Sequence, residues 1–292
     1  MCPRRQIVGK LELKSSLLSH VGELLEPKVE RKVLFAKGNV DVHDSLHSCR
    51  INGSIRWNGI NELTRPKMGT LIRLQHETWT RSDAIAESDG TIPAEVEERA
   101  LPLGVYPLAS QFSNAVFTNE ADAIILSVLG DTANRLYRNN EQAYKFFAAN
   151  LEIWNSNDRE WLTSHFSHTN LLEVSQSMES LAKIVERIRS HKDVPILVYN
   201  VSSIVPGEDL YNYLGVDETY STRCKRFNLA LADLSRQTGI SIVDVDTIIA
   251  RSGADRLKVD AMHLTPEGYR LVAEEVVRIL VDLAVLPVIE ER

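Results

Sequence analysis

The stretch DAMHLTPEGY, residues 260–269, carries the most structural information in this chain. It places Asp260 three residues before His263, and the start of a helix follows at once. In a loop that enters a helix, this spacing puts both side chains on the same side of one turn. The carboxylate can then hold the imidazole in one tautomer and stabilise its positive form, as a hydroxyl nucleophile requires of its partners. We therefore predict that Asp260 and His263 form an acid–base pair.

The residues after this pair have the signature of a helix N-terminus. Thr265 suits the N-cap, Pro266 the first helical position, and Glu267 is an acid near the positive end of the helix dipole. The pattern predicts a helix over residues 266–283. Apolar residues at helical spacing predict further helices over residues 171–190 and 222–238.

Short apolar runs alternate with these helices and are rich in valine and isoleucine. Runs of this kind suit a parallel sheet that is covered on both faces. Strands and helices that alternate with right-handed crossovers predict an α/β fold, a three-layer α/β/α sandwich around a doubly wound, five-stranded, mostly parallel sheet. Ligands of such sheets lie beyond the carboxyl ends of the strands. The predicted strands are residues 33–36, 70–74, 123–129, 195–200 and 241–245.

Charge and composition exclude several classes of function. The formal net charge is −7 and no block of Lys or Arg stands out, which argues against a nucleic-acid partner. No apolar run reaches the roughly 18 residues of a membrane span, and no secretory signal follows Met1. Cys2, Cys49 and Cys224 show neither metal-ligand spacing nor a disulfide framework. We predict a cytoplasmic protein with a small-molecule or acyl-bearing substrate, no metal and no cofactor.

The chain is long enough for one large domain. We predict that this domain spans residues 31–285, between an N-terminal extension, 1–30, and a C-terminal tail, 286–292. Two stretches exceed the minimal frame of strands and helices, at about 86–120 and 134–170. The second concentrates aromatic residues. The sequence leaves two alternatives for it, a lid over the active site and packing against the edge of the sheet.

The second half of the chain resembles the SGNH/GDSL hydrolase family. The resemblance rests on the Asp-x-x-His block and its capped helix, preceded in the family's order by ILVYN at 196–200, RFNLAL at 226–231 and IVDV at 242–245. It implies a flavodoxin-like sandwich. It also implies an esterase-like serine hydrolase that cleaves an ester or related acyl bond through a covalent acyl-serine intermediate.

The family places its serine in a Gly-Asp-Ser-Leu turn after the first strand, and two alignments compete for this turn. Aligning the strand end puts Gly-Asn-Val, residues 38–40, at the turn and leaves no nucleophile. Aligning the motif puts His-Asp-Ser-Leu, residues 43–46, there instead. We favour the second alignment, with Ser45 as the nucleophile and Ser48 and Ser82 as the remaining candidates. A simple helix N-cap at Ser45 is the alternative.

The histidines beside this serine need no metal. His43 and His47 alternate with Asp41 and Asp44, but the alternation fits no familiar helical ligand arrangement.

The family's remaining motifs supply a Gly N–H and an Asn side chain to the oxyanion, and both are altered here. Residues 129–134 read LGDTAN, with Asp131 or Thr132 where the asparagine is expected and Asn134 slightly late. An ionised Asp would repel an oxyanion, so the Thr hydroxyl or the Asn134 amide is the better donor. We predict an oxyanion and substrate site formed by Asn134, Gly130, Trp79 and Arg81.

Three functions follow from these patterns. The first is serine ester hydrolysis by Ser45, His263 and Asp260. The second is an acyltransferase or biosynthetic tailoring enzyme on the same frame, because both share the covalent step and differ in how water is excluded. The third is a non-catalytic binding module, to which the alignment of residues 38–40 points.

Overall fold

The computed structural model of the chain describes residues 29–207, 215 and 217–288. The predicted N-terminal extension therefore lies outside the described residues up to residue 28, and the predicted C-terminal tail does so from residue 289. In the described part, no helix is both long enough and apolar enough to cross a membrane.

The strands, numbered in chain order, are β1 (Glu30–Gly38), β2 (Cys49–Ile51), β3 (Ser54–Trp57), β4 (Thr70–Thr78), β5 (Ala123–Ser127), β6 (Tyr137–Asn139), β7 (Lys145–Phe146), β8 (Phe166–His168), β9 (Ile196–Tyr199) and β10 (Ser241–Val243).

The α-helices are α1 (Val40–Leu46), α2 (Asn61–Met68), α3 (Ser82–Glu87), α4 (Ala94–Glu97), α5 (Leu108–Gln111), α6 (Ala115–Thr118), α7 (Leu129–Ala133), α8 (Ser156–His165), α9 (Val174–Arg189), α10 (Tyr220–Thr238), α11 (Val245–Ser252), α12 (Ala254–Leu257) and α13 (Pro266–Asp282). A 3₁₀ turn covers Leu151–Ile153.

Five strands of the described chain form the central sheet, in the order β10-β9-β5-β1-β4. Every pairing within it is parallel. Counted along the chain, the order is second, first, third, fourth, fifth, which is the flavodoxin-like winding. The predicted doubly wound α/β sandwich is thereby confirmed. The winding reverses between β1 and β5, so a crevice opens beyond their carboxyl ends, at Gly38 and Ser127.

The sheet is buried because helices cover both of its faces. All five residues of β5 are buried. Ile125 packs with α1, α2 and α13 on one face, whereas Ile124 and Leu126 pack with α9 and α10 on the other. This two-sided burial explains why the strands read as continuous apolar runs in the sequence.

The long helices begin and end where their capping residues predict. The Thr265 side chain accepts the N–H of Gly268, and Pro266 opens α13. Glu173 and Gln176 form a capping box at the start of α9. Gly239 ends α10 with a φ of 67°, a left-handed conformation that glycine adopts without steric cost.

The two predicted insertions pack against each other. Strands β6, β7 and β8 of the second insertion form a small sheet. Its aromatic side chains share one apolar cluster with Val96 and Phe112 of the first insertion. Packing thus accounts for the aromatic residues of the second insertion. The cluster includes Tyr137, Phe146, Trp154, Trp161 and Phe166.

Candidate active site

A cavity of about 540 Å³ opens at the carboxyl end of the sheet, where the winding reverses. Five parts of the chain form its walls. Its walls are the junction of β1 and α1 (residues 38–40, His43 and Asp44), the end of β4 (His76, Thr78), the first insertion (Val105, Tyr106), α7 and the residue that follows it (Leu129, Gly130, Asn134) and the loop before α13 (Met262, His263).

The structure brings Asp260 and His263 together at this cavity. The His263 Nδ1 atom lies 2.8 and 2.9 Å from the two carboxylate oxygens of Asp260. Oδ1 of Asp260 also accepts the backbone N–H groups of Met262 and His263, each at 2.8 Å. Partial burial raises the pKa of this carboxyl, but these bonds outweigh it and leave the pKa below its usual value. With Nδ1 engaged, Nε2 is the nitrogen available to a reacting group.

Ser45 lies outside the cavity, so the expectation that it faces His263 does not hold. The reason is that α1 begins at Val40, and Ser45, five residues later, is turned by about 140° from it. The Ser45 hydroxyl is fully buried. It donates to the carbonyl of Asp41 at 2.6 Å and lies 3.0 Å from the hydroxyl of Tyr199. Within the described residues, no hydrogen bond joins it to His263.

The wall of the cavity matches the alternative alignment, which follows the strand end. Gly38 closes β1, Asn39 precedes α1, and Val40 is the first helical residue. In that alignment, Val40 takes the position of the motif's serine. The other serine candidates are also remote from the cavity wall: Ser48 is buried beside His47, and Ser82 is buried with its backbone N–H on Asp131.

Gly130 and Asn134, two of the predicted oxyanion residues, do line the cavity. The Asn134 Nδ2 atom donates one N–H to the carbonyl of Thr80 at 2.8 Å, and an amide nitrogen carries two. Gly130 is required by close packing, because a Cβ there would lie 2.4 Å from the same Thr80 oxygen.

Trp79 and Arg81 do not line the cavity, in contrast to the prediction. Trp79 is fully buried, and its Nε1 donates to Asp131 at 3.0 Å. Arg81 bonds Asp83 of α3 and the carbonyl of Asn170, at the end of the second insertion. Both side chains end in the protein interior because β4 continues past its predicted end and carries them beneath the insertions.

Asp131 and Thr132 are turned into the interior as well. The Asp131 carboxylate accepts bonds from Trp79 Nε1, the Ser82 N–H and the Ser177 hydroxyl. Burial raises its pKa, although these bonds act in the opposite direction. The Thr132 hydroxyl lies 2.7 Å from that of Tyr220. Neither side chain lines the cavity, so Asn134 is the side-chain donor that this turn presents to it.

Three imidazoles line the cavity, and two of them were not predicted to. His43 Nδ1 lies 2.7 Å from an oxygen of Asp44, and His76 Nε2 lies 3.0 Å from the carbonyl of Gly38. Burial, followed by the proximity of His43, lowers the pKa of His76 to about 4, which keeps this ring neutral at pH 7. No group of three or more potential metal ligands occurs among the described residues. The alternation of His43 and His47 with Asp41 and Asp44 is the sequence signal that could have identified His43.

Hydrogen bonds to an ion pair between β1 and β4, and to Thr78 beside it, hold the first insertion against the sheet. The Lys37 Nζ atom lies 2.7 Å from Glu77 and 2.8 Å from the carbonyl of Ser110. The Ser113 hydroxyl donates to the other oxygen of Glu77 at 2.7 Å. The Thr78 hydroxyl donates to the carbonyl of Val105, also at 2.7 Å. These bonds fix the wall of the cavity that Val105 and Tyr106 form.

Comparison with known sequences identifies the family of the chain. A sequence model of the GDSL-like lipase/acylhydrolase family matches residues 109–271, more than half of the chain. The chain belongs to this family. The matched segment contains the Asp260–His263 pair, Gly130 and Asn134. It does not include the junction of β1 and α1, residues 38–40.

Several solved structures are similar to this one at low sequence identity. LAE5, an alpha/beta hydrolase from the metagenome of Lake Arreo, is 12% identical, with a TM-score of 0.48 over 85% of this chain and 94% of that one. A lipolytic protein of the G-D-S-L family from Veillonella parvula is 10% identical, with a TM-score of 0.46 over 85% and 97%. An acetylxylan esterase from Geobacillus stearothermophilus is 10% identical, with a TM-score of 0.46 over 86% and 95%. No curated protein matches the chain.

Proposed function

We propose that this GDSL-family hydrolase cleaves small, uncharged acyl esters by activating a water molecule with His263. One observation carries the proposal. The paired imidazole of His263 lines the same cavity as Val40, which has no hydroxyl with which to attack. An imidazole held by a carboxylate can remove a proton from water as it would from a serine hydroxyl.

Polar groups in the cavity support this route. Asn39 lines the cavity, and its buried side-chain oxygen makes no hydrogen bond within the described residues, so a rotation of the side chain would offer this acceptor to the attacking water. The second N–H of Asn134 can stabilise the oxyanion. The backbone N–H of Val40, which likewise has no partner in the described part of the chain, can contribute a second donor.

The walls of the cavity favour an uncharged substrate. Val105, Leu129 and Met262 are apolar, and His76 is neutral at pH 7 because its pKa is about 4. No Lys or Arg among the described residues lines the cavity. An anionic acyl group would therefore lose its hydration without gaining a permanent counter-charge.

The acyl-serine route through Ser45 is the competing mechanism. It requires the hydroxyl to leave the Asp41 carbonyl and Tyr199, and α1 to turn so that its buried face meets the cavity. That rearrangement would expose Val42 and Leu46, which are fully or almost fully buried. The water route needs no such change.

Ester turnover by matched variants tests the proposal. With p-nitrophenyl acetate, His263→Ala should lower kcat by roughly 10²- to 10⁴-fold. His165→Ala, which removes an exposed imidazole of α8, should leave kcat unchanged. Equal turnover by wild type and His263→Ala would overturn the proposal.

A fluorophosphonate probe separates the two mechanisms. The water route predicts no covalent labelling of the wild-type protein. Labelling that disappears in Ser45→Ala would establish the acyl-serine route instead. Preferential transfer of the acyl group to an added alcohol would indicate an acyltransferase.

A ligand-binding protein without catalysis is the second candidate, and Val40 at the nucleophile position is the observation that favours it. Wild-type protein that binds an ester by calorimetry, yet turns over none of a panel of esters, would support this candidate.

A further inference from the structure

We propose that His43 is a second catalytic residue, which donates a proton to the leaving alcohol while His263 activates water. The inference rests on the proposed hydrolytic function and extends it from one imidazole to two. It assigns a role to a side chain that the family's serine mechanism does not use.

The position of His43 on α1 places its side chain at the cavity. His43 follows Val40 by three residues, so the two side chains lie about 60° apart on one helix face. That face forms the cavity wall to which His263 also contributes. The His43 side chain is 40% exposed, so a substrate in the cavity can reach it.

His43 and His263 each form an imidazole–carboxylate pair of similar geometry. His43 Nδ1 lies 2.7 Å from Asp44, as His263 Nδ1 lies 2.8 Å from Asp260. In each pair the carboxylate engages Nδ1, and Nε2 has no hydrogen-bond partner within the described residues, so it is the nitrogen available to substrate. A carboxylate-supported imidazole is suited to either proton donation or proton removal.

Neighbouring side chains hold the ring of His43 in place. His47 stacks on it with ring centroids 5.0 Å apart, and His76 meets it edge-on at 5.3 Å. His76 is neutral at pH 7 because its pKa is about 4, so it does not repel a positive charge on His43. The charge of Lys37, on β1, is compensated by the Glu77 carboxylate.

In the water route, the leaving alcohol requires a proton donor, and the second imidazole can be that donor. The His263 ring takes the proton of the attacking water as the water oxygen bonds to the acyl carbon. When the bond between the acyl carbon and the ester oxygen breaks, that oxygen leaves as an alkoxide unless an acid protonates it. The His43 imidazolium supplies that proton, giving the free alcohol and the carboxylic acid. The cycle closes when His263 releases a proton to solvent and His43 takes one up.

Leaving-group dependence tests this role. Alkyl acetates need a proton on the departing oxygen, whereas p-nitrophenyl acetate releases an anion that is stable by itself. His43→Gln should therefore lower kcat on alkyl acetates by roughly 10²- to 10⁴-fold and leave p-nitrophenyl acetate far less affected. His165→Gln removes an exposed imidazole of α8 that does not line the cavity, and it should leave both activities unchanged. Asp44→Asn should impair alkyl acetates selectively, to a smaller extent than His43→Gln.

The outcomes separate this inference from the proposed function. Equal losses by His43→Gln on both substrate types would show a structural role and overturn the inference, as would no loss on either. In both cases an inactive His263→Ala would leave the proposed function intact. Full activity of His263→Ala would refute the proposed function itself. Urea unfolding of each variant checks that a loss of turnover does not reflect a loss of fold.

Discussion

The hydroxyl groups of Ser45 and Tyr199 lie 3.0 Å apart between α1 and the central sheet. Both side chains are fully buried, and burial raises the pKa of the Tyr199 phenol, which stays neutral. The same Ser45 hydroxyl donates to the Asp41 carbonyl. This contact anchors α1 on β9 and turns the serine away from His263.

Ser45→Ala is expected to reduce stability without reducing turnover. It leaves the buried hydroxyl of Tyr199 without this partner, at a cost of about 1–3 kcal/mol in the free energy of unfolding. Urea unfolding measures the cost, and p-nitrophenyl acetate turnover measures the activity. Tyr199→Phe is the matched control, and the double variant should cost less than the sum of the two. Loss of turnover in a folded Ser45→Ala protein would contradict the position assigned to this side chain.

Val40→Ser should place a serine nucleophile on the cavity wall, whose described residues include no serine. Val40 opens α1 on the cavity wall that His263 shares, so a serine there replaces an apolar group with a hydroxyl close to the base. We expect labelling by a fluorophosphonate that is absent from wild type, measured by intact-protein mass spectrometry. The label should disappear in the double variant Val40→Ser/His263→Ala. Val40→Ala is the control, because it removes side-chain volume as serine does but adds no hydroxyl. A Val40→Ser protein that folds but never becomes labelled would argue against this position.

Asn134→Ala should impair the chemical step. If the free N–H of Asn134 stabilises the oxyanion, its loss lowers kcat by roughly 10²- to 10³-fold with a smaller change in KM. Because Asn134 also donates to the Thr80 carbonyl, urea unfolding must accompany the kinetics. Asn134→Asp keeps the shape and adds an acid, so it should be at least as impaired. An effect confined to KM would place Asn134 in substrate binding alone.

His76 should make the protein sensitive to acid. Burial and the neighbouring His43 lower the pKa of His76 to about 4, whereas an unfolded histidine titrates near 6.5. Between these values the unfolded chain binds a proton that the folded protein does not. The free energy of unfolding therefore falls as the pH is lowered from about 6.5 to about 4, by up to about 3 kcal/mol.

His76→Gln should abolish this share of the acid sensitivity, since glutamine keeps an N–H for the Gly38 carbonyl and does not titrate. Urea unfolding at about pH 7 and about pH 4.5 measures the difference. The exposed His191→Gln should retain the wild-type dependence. An unchanged dependence in His76→Gln would show that other groups cause it.

Lys37→Met should be strongly destabilising because it leaves the Glu77 carboxylate without its cation. The Lys37 side chain is fully buried and that of Glu77 is 20% exposed, so the cost should approach that of breaking a fully buried pair, about 3–5 kcal/mol, without reaching its upper end. The double variant Lys37→Met/Glu77→Gln should recover part of this loss in urea unfolding. Lys32→Met on the same strand breaks a more exposed pair with Glu30 and should cost less than about 1 kcal/mol. A double variant no more stable than Lys37→Met would contradict the electrostatic explanation.

The sequence by itself determined the sheet, the long helices and the contact between Asp260 and His263. These features are local. Two-sided burial makes each parallel strand a continuous apolar run, caps such as Thr265 mark the helix ends, and a spacing of three residues fixes how two side chains meet on one turn.

Only the tertiary structure decided which side chains join that pair. The first residue of α1 depends on where β1 ends, and β1 runs to Gly38 because it pairs with β4 as far as Thr78. That pairing carries His76 to the cavity and makes Val40 the first helical residue. It leaves Ser45 on the buried face of α1. Two features leave no local pattern in the sequence, because the contacts that fix them are distant in the chain. They are a polar residue on an apolar helix face and a strand end that is set by a partner strand 40 residues away.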